Sequence, residues 1–145
     1  MVLLKPVPAR SSAGVVGQTA AMGRHAELVE EFIAAWQARD LERIVAFLHP
    51  DIRYHNMPLE PIDGLAGTRR ALQALLDRVD DLRWDIRNIA ETADGTVLYE
   101  KTEHYLIGGA WVALPCMIAL EFTDDLISQW RAYFDIATWT RQQTD

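Results

Sequence analysis

The sequence predicts an α+β domain in which a strongly curved antiparallel sheet wraps over three helices of the N-terminal half and can leave a pocket on its concave face. Two observations lead there. Apolar residues recur at helical spacing three times before Asp80, and beyond it they alternate with period two in four successive runs. The links between those runs are short and centred on Asp94-Gly95, Gly108-Gly109 and Asp124-Asp125, which suits hairpins between neighbouring antiparallel strands. Helices segregated from an antiparallel sheet define the α+β class.

Residues 1–21 lack hydrophobic period and are rich in Pro, Ser, Gly and Ala, so they are expected to form a flexible leader ahead of a single domain over 22–145. A first helix is expected over 25–38, with Leu28, Phe32 and Ala35 beside Val29, Ile33 and Trp36. Asp40 is an N-cap for a second, striped by Leu41, Ile44, Val45 and Leu48 and ended by His49-Pro50. A short alternating segment puts Ile52, Tyr54 and Asn56 on one side, with Arg53 and His55 on the other. Pro58, Pro61, Gly64 and Gly67 mark a loop, and Thr68 is expected to cap a third helix carrying Leu72, Leu75, Leu76 and Val79. Strands are expected over 82–90, 96–106, 111–122 and 126–134. The run 111–122 is apolar on both faces, which predicts one face against helices or pocket and the other against a second subunit.

Composition bounds the function. Half of the 145 residues are apolar, enough for one substantial core. No apolar run approaches the roughly 20 residues that span a bilayer, and Met1–Leu4 is too short for a signal-peptide core. No membrane partner is therefore expected. A lone Cys116 excludes an internal disulfide and fits a reducing, cytoplasmic location. The net charge is −7, and the body is more acidic still because Lys5 and Arg10 lie in the leader. Without a basic stripe, nucleic acid is not an expected partner.

His25, His49, His55 and His104 are scattered without metal-ligand spacing, so no metal is expected. There is no glycine-rich phosphate loop and no local nucleophile signature. Cys116, after Pro115 in an apolar strand, reads as a small core residue. What remains is polar residues on apolar strands. Val97, Tyr99, Lys101, Glu103 and Tyr105 share one strand face. Lys101 and Glu103 read either as an exposed salt bridge or as a pocket pair, where low dielectric would strengthen their coupling. Tyr54 and Asn56 likewise share a face and could hold a water or a substrate oxygen. Trp130, Ala132 and Phe134 share a face and are candidate pocket or core walls, as are Trp84, Leu98, Tyr99, Trp111, Leu114, Met117 and Ile118. Asp135 has the opposite phase to Ala132.

The runs Tyr54-His55-Asn56-Met57-Pro58-Leu59, Tyr99-Glu100-Lys101-Thr102-Glu103 and Trp130-Arg131-Ala132-Tyr133-Phe134-Asp135 resemble the limonene-1,2-epoxide hydrolase family, and the resemblance covers nearly all of residues 25–139. It implies a curved sheet over helices with a deep apolar pocket, a homodimer, no cofactor, and kinship with the ketosteroid isomerase and polyketide cyclase group of cone-shaped domains. In that family an Asp, a Tyr and an Asn hold a water, and the Asp takes its proton as the water attacks the epoxide. A second Asp protonates the epoxide oxygen, and an Arg bridges both carboxylates. By position, Tyr54 and Asn56 match the water-holding pair, Lys101 stands for the Arg and Glu103 for the proton-donating Asp. Ala132 stands where the water-activating Asp would be. The chain thus keeps one carboxylate and one cation where the family has two and one. Three readings follow for an apolar small molecule: water addition to an epoxide, proton transfer by Glu103 as in an isomerase or cyclase, and binding without catalysis.

Overall fold

A computed structural model describes residues 22–143; the expected leader over 1–21 lies outside them. Helix α1 (Arg24–Gln37) buries Ala26, Val29, Phe32, Ile33, Ala35 and Trp36 along one stripe. No side chain of its own caps its start. Glu91, brought there by a strand, accepts a hydrogen bond from the Ala26 N–H at 2.9 Å. Helix α2 (Leu41–Ala46) is capped by Asp40, whose carboxylate accepts from the Arg43 N–H. It stops earlier than its apolar stripe suggested, because His49 precedes Pro50 and is driven extended. Strand β1 (Leu48–Asn56) therefore absorbs Leu48, His49 and Pro50.

The expected loop contains a two-residue strand, β2 (Ile62–Asp63), and helix α3 (Leu65–Arg78) begins before Thr68. Gly64, at φ +90°, turns the chain into the helix in a conformation that only glycine adopts freely. Thr68 is thus inside α3, buried, with its hydroxyl donating to the Gly64 carbonyl. Four long strands follow: β3 (Asp81–Glu91), β4 (Val97–Ile107), β5 (Ala110–Thr123) and β6 (Leu126–Tyr133). A short helix, α4 (Ile136–Arg141), closes the chain; Asp135 caps it through the Ala137 and Thr138 N–H groups. The period-two reading, which runs on to Phe134, missed this helix.

The six strands form one curved, unclosed sheet in the order β2-β1-β6-β5-β4-β3. Its long hairpins are antiparallel as expected, but β1 and β6 run parallel. β1 reaches the sheet from the helices and not by a hairpin, which makes the sheet mixed. Register shifts between Leu48 and Arg53, Ile86 and Asn88, and Glu121 and Phe122 bend the strands over α1 and α3. The concave face carries Trp84, Tyr99, Ile118, Leu120 and Trp130 into the core with Phe32 and Trp36 of α1. The convex face exposes Leu98, Trp111, Met117 and Tyr133. No helix among the described residues is long and apolar enough to cross a membrane.

Candidate active site

Between the concave face, α3 and α4 lies a cavity of about 360 Å³. That is within the range of small-molecule sites. Its floor is aromatic. Trp36 stacks on Trp84 at 4.8 Å, Trp130 meets Trp36 edge to face, and Tyr54 leans on Trp130 at 4.5 Å. Helix α3 contributes Ala71, Ala74, Leu75 and Arg78 to the wall, and α4 contributes Ile136 and Trp139.

Glu103 is the one carboxylate among the described lining residues. Period two places it beside Lys101, whose ammonium is fully buried and lies 2.6 Å from a Glu103 oxygen. That approach is a charge contact: its angles miss hydrogen-bonding geometry. The same ammonium sits 3.1 Å from the centre of the Trp84 ring, a cation–π contact worth about 2 kcal/mol when desolvated. The other Glu103 oxygen accepts from the Tyr105 hydroxyl at 2.8 Å. Burial pulls the Lys101 pKa below the ordinary lysine value, while Glu103 opposes the shift. Burial pushes the Tyr54, Tyr99 and Tyr105 phenols and the Cys116 thiol upward, and the Glu103 charge adds to each. A neutral, high-pKa thiol is a poor nucleophile.

At another part of the wall the Asn56 amide donates to the Tyr54 hydroxyl at 2.9 Å. Among the described residues no acceptor takes the Tyr54 proton, which leaves that O–H a donor for a ligand. In register, Ala132 stands between Asn56 and Ile118, with its methyl group where a carboxylate would project from β6. Asp135 does not replace it, since that side chain is exposed and committed to capping α4.

The structure thus gathers Tyr54, Asn56, Glu103, Trp84, Trp130, Ala132, Phe134, Leu114 and Ile118 on one cavity wall. Lys101 lies behind the wall, reaching it through Glu103 and Trp84. Tyr99 is also behind it, 1% exposed and part of the core. Met117, Leu98 and Trp111 are 47%, 39% and 54% exposed on the convex face and do not line the cavity. Period two forces this result for β5: if Leu114 and Ile118 point inward, Met117 and Trp111 point outward. The α3 and α4 residues were missed, as was Tyr105. Leu75 is in the predicted helical stripe, but a stripe facing a cavity reads the same as one facing a core. Among the described residues, no group of three or more His, Cys, Asp or Glu side chains is placed to hold a metal.

Residues 29–130 match the SnoaL-like domain. The chain is 32% identical over 109 residues to epoxide hydrolase EphG of Mycobacterium tuberculosis (strain ATCC 25618 / H37Rv), covering 74% of this chain and 71% of that protein. It superposes on the structure of an M. tuberculosis LEH-like epoxide hydrolase with a TM-score of 0.72 at 29% identity, covering 81% of this chain and 87% of the other. A protein from Shewanella putrefaciens CN-32, assigned as a SnoaL-like polyketide cyclase, has the same fold, with a TM-score of 0.74 at 16% identity over 84% of this chain and 97% of its own.

Proposed function

Because the chain belongs to the SnoaL-like, limonene-epoxide-hydrolase-like family, we propose that its cavity binds an apolar small molecule and that Glu103 moves protons on it. One observation carries this reading: Glu103 is the single carboxylate among the described residues of the wall, with one oxygen in charge contact with Lys101 and the other accepting from Tyr105. A carboxylate so arranged is a proton acceptor first. The resemblance gave it the donor's part, which it takes only after accepting.

The reaction class that needs one base and one neutral donor is enolisation. Glu103 takes a proton from carbon next to a carbonyl, and the Tyr54 O–H donates a hydrogen bond to the oxygen as negative charge builds there. The protonated Glu103 returns the proton at a second carbon, completing an isomerisation. If the enolate instead attacks a carbonyl in the same molecule, the outcome is cyclisation, and Glu103 gives its proton to the new alkoxide. Lys101 positions Glu103 and balances its charge without touching the ligand.

A second reading, water addition to an epoxide, is favoured by the Tyr54–Asn56 pair and by the likeness to epoxide hydrolases. It must work without the carboxylate that Ala132 replaces. A positioned general base contributes about 10²–10⁴-fold, or roughly 3–5 kcal/mol of transition-state stabilisation. The two readings separate in a paired assay of the wild-type protein. Exchange of solvent deuterium for carbon-bound hydrogen of a compact aromatic ketone in D₂O, with no labelled diol from epoxides in ¹⁸O-water, is the expected result. Diol formation without ketone exchange would reverse the order of the two readings.

A further inference from the structure

We infer that Arg78 is a specificity-determining residue and that the ligand carries a carboxylate on an otherwise apolar body. The inference rests on the reading of the cavity as a small-molecule site and adds the ligand's charge to it. Among the described lining residues, Arg78 is the one cation and Glu103 the one anion. Glu103 already has its countercharge in Lys101. Arg78 has none: among the described residues no carboxylate lies within ion-pair distance of its guanidinium.

Two of the neighbouring acids are occupied elsewhere. The Asp77 carboxylate accepts from Gln73, and Asp81 accepts from the Leu82 N–H. What Arg78 does touch is Gln143, whose side-chain carbonyl accepts from one guanidinium nitrogen at 2.6 Å. A guanidinium has five N–H donors, so this contact holds the side chain at the cavity and leaves a fork free for two parallel bonds to a carboxylate. The place is also set by packing. Arg78 ends α3 one turn beyond Ala74, and both residues line the cavity with Leu75. On the facing side, Trp139 of α4 meets Tyr105 edge to face at 5.8 Å, and Tyr105 holds Glu103. An acid paired with Arg78 would thus lay its apolar body along the tryptophans toward Glu103. A protein of net charge −7 repels anions in general, so preference for an acid needs a local cation, and Arg78 supplies it.

The test compares two probes of one shape, 2-naphthoate and 2-naphthamide, by quenching of tryptophan fluorescence. The proteins are wild type, R78Q, the exposed control R70Q, and A71F, which puts a ring into the cavity. The wild type and R70Q are expected to bind the acid at least about fivefold more tightly than the amide at low salt, in keeping with a charge-assisted fork at the cavity mouth. R78Q is expected to abolish that preference while leaving amide affinity within about twofold, and A71F to weaken both probes. Equal binding of acid and amide by the wild type overturns the inference and leaves the cavity reading intact, as does an acid preference that survives in R78Q. If neither probe binds, or if A71F changes nothing, the cavity reading fails and the inference falls with it.

Discussion

Lys101 is an ammonium held where water does not reach it, between the Trp84 ring and Glu103. Taking a charge out of water costs several kcal/mol, and one carboxylate with an aromatic face offsets part of that. K101M is expected to destabilise the fold by about 3 kcal/mol, because it leaves Glu103 without its countercharge. K101M/E103L removes both charges and should lie within about 1 kcal/mol of wild type. Urea denaturation near pH 7 checks this, and a double variant no more stable than K101M would show that the pair's charges are not what the single change disturbs. This pair was legible in the sequence because β4 alternates cleanly, placing Tyr99, Lys101, Glu103 and Tyr105 on one face. Its depth was not legible, since alternation shows which residues share a face and says nothing of what covers that face.

At the scale of elements, β5 shows where sequence patterning ends. It is apolar on both faces, so period two could not tell cavity from exterior, and the reading drew Met117 and Trp111 inward with Leu114 and Ile118. The structure gives the first pair to the convex face. That face is where we place the expected homodimer contact, because Trp111, Met117, Leu98 and Tyr133 are too apolar to leave in water together. Sedimentation equilibrium should give a dimer for the wild type and a monomer for W111E/M117E. A wild-type monomer at micromolar concentration would refute the pairing. α4 escaped notice for a different reason. Its six residues are too few for a period, although Asp135 before Ile136–Arg141 is an N-cap signal that a search by caps would have found. Gln142 then fixes that segment to β5, donating to the Ala113 carbonyl at 2.7 Å and accepting from its N–H at 2.9 Å.

For the whole molecule, the spacing of apolar residues alone conveys the α+β class and the four long strands, while the pocket comes from the family resemblance. The spacing does not convey the α3 and α4 side of the cavity, because a cavity wall made by a helix has the composition of a core. The buried phenols set the response to alkali. Tyr54, Tyr99 and Tyr105 have raised pKa values in the folded chain, chiefly through burial. Above the unfolded value of about 10, the unfolded chain loses phenol protons that the native chain keeps, so stability falls as pH rises from there. Lys101 acts in the opposite sense just below that range, where the native chain has released a proton that the unfolded chain holds. Unfolding free energies between pH 8 and 11 should therefore decline above pH 10, and Y99F should make the decline shallower. An unchanged slope in Y99F would remove that phenol from the account.

The claim on which the rest depends is that Glu103 moves protons on a ligand held in this cavity. Its most direct measurement is deuterium exchange at the acidic carbon of 2-tetralone in D₂O, followed by NMR with wild type and E103Q, with tryptophan quenching confirming that both bind the ketone. The account predicts exchange above the buffer rate for the wild type and loss of at least about a hundredfold in E103Q at similar affinity. Equal exchange by the two proteins, or no exchange by a wild type that binds the ketone, would contradict it.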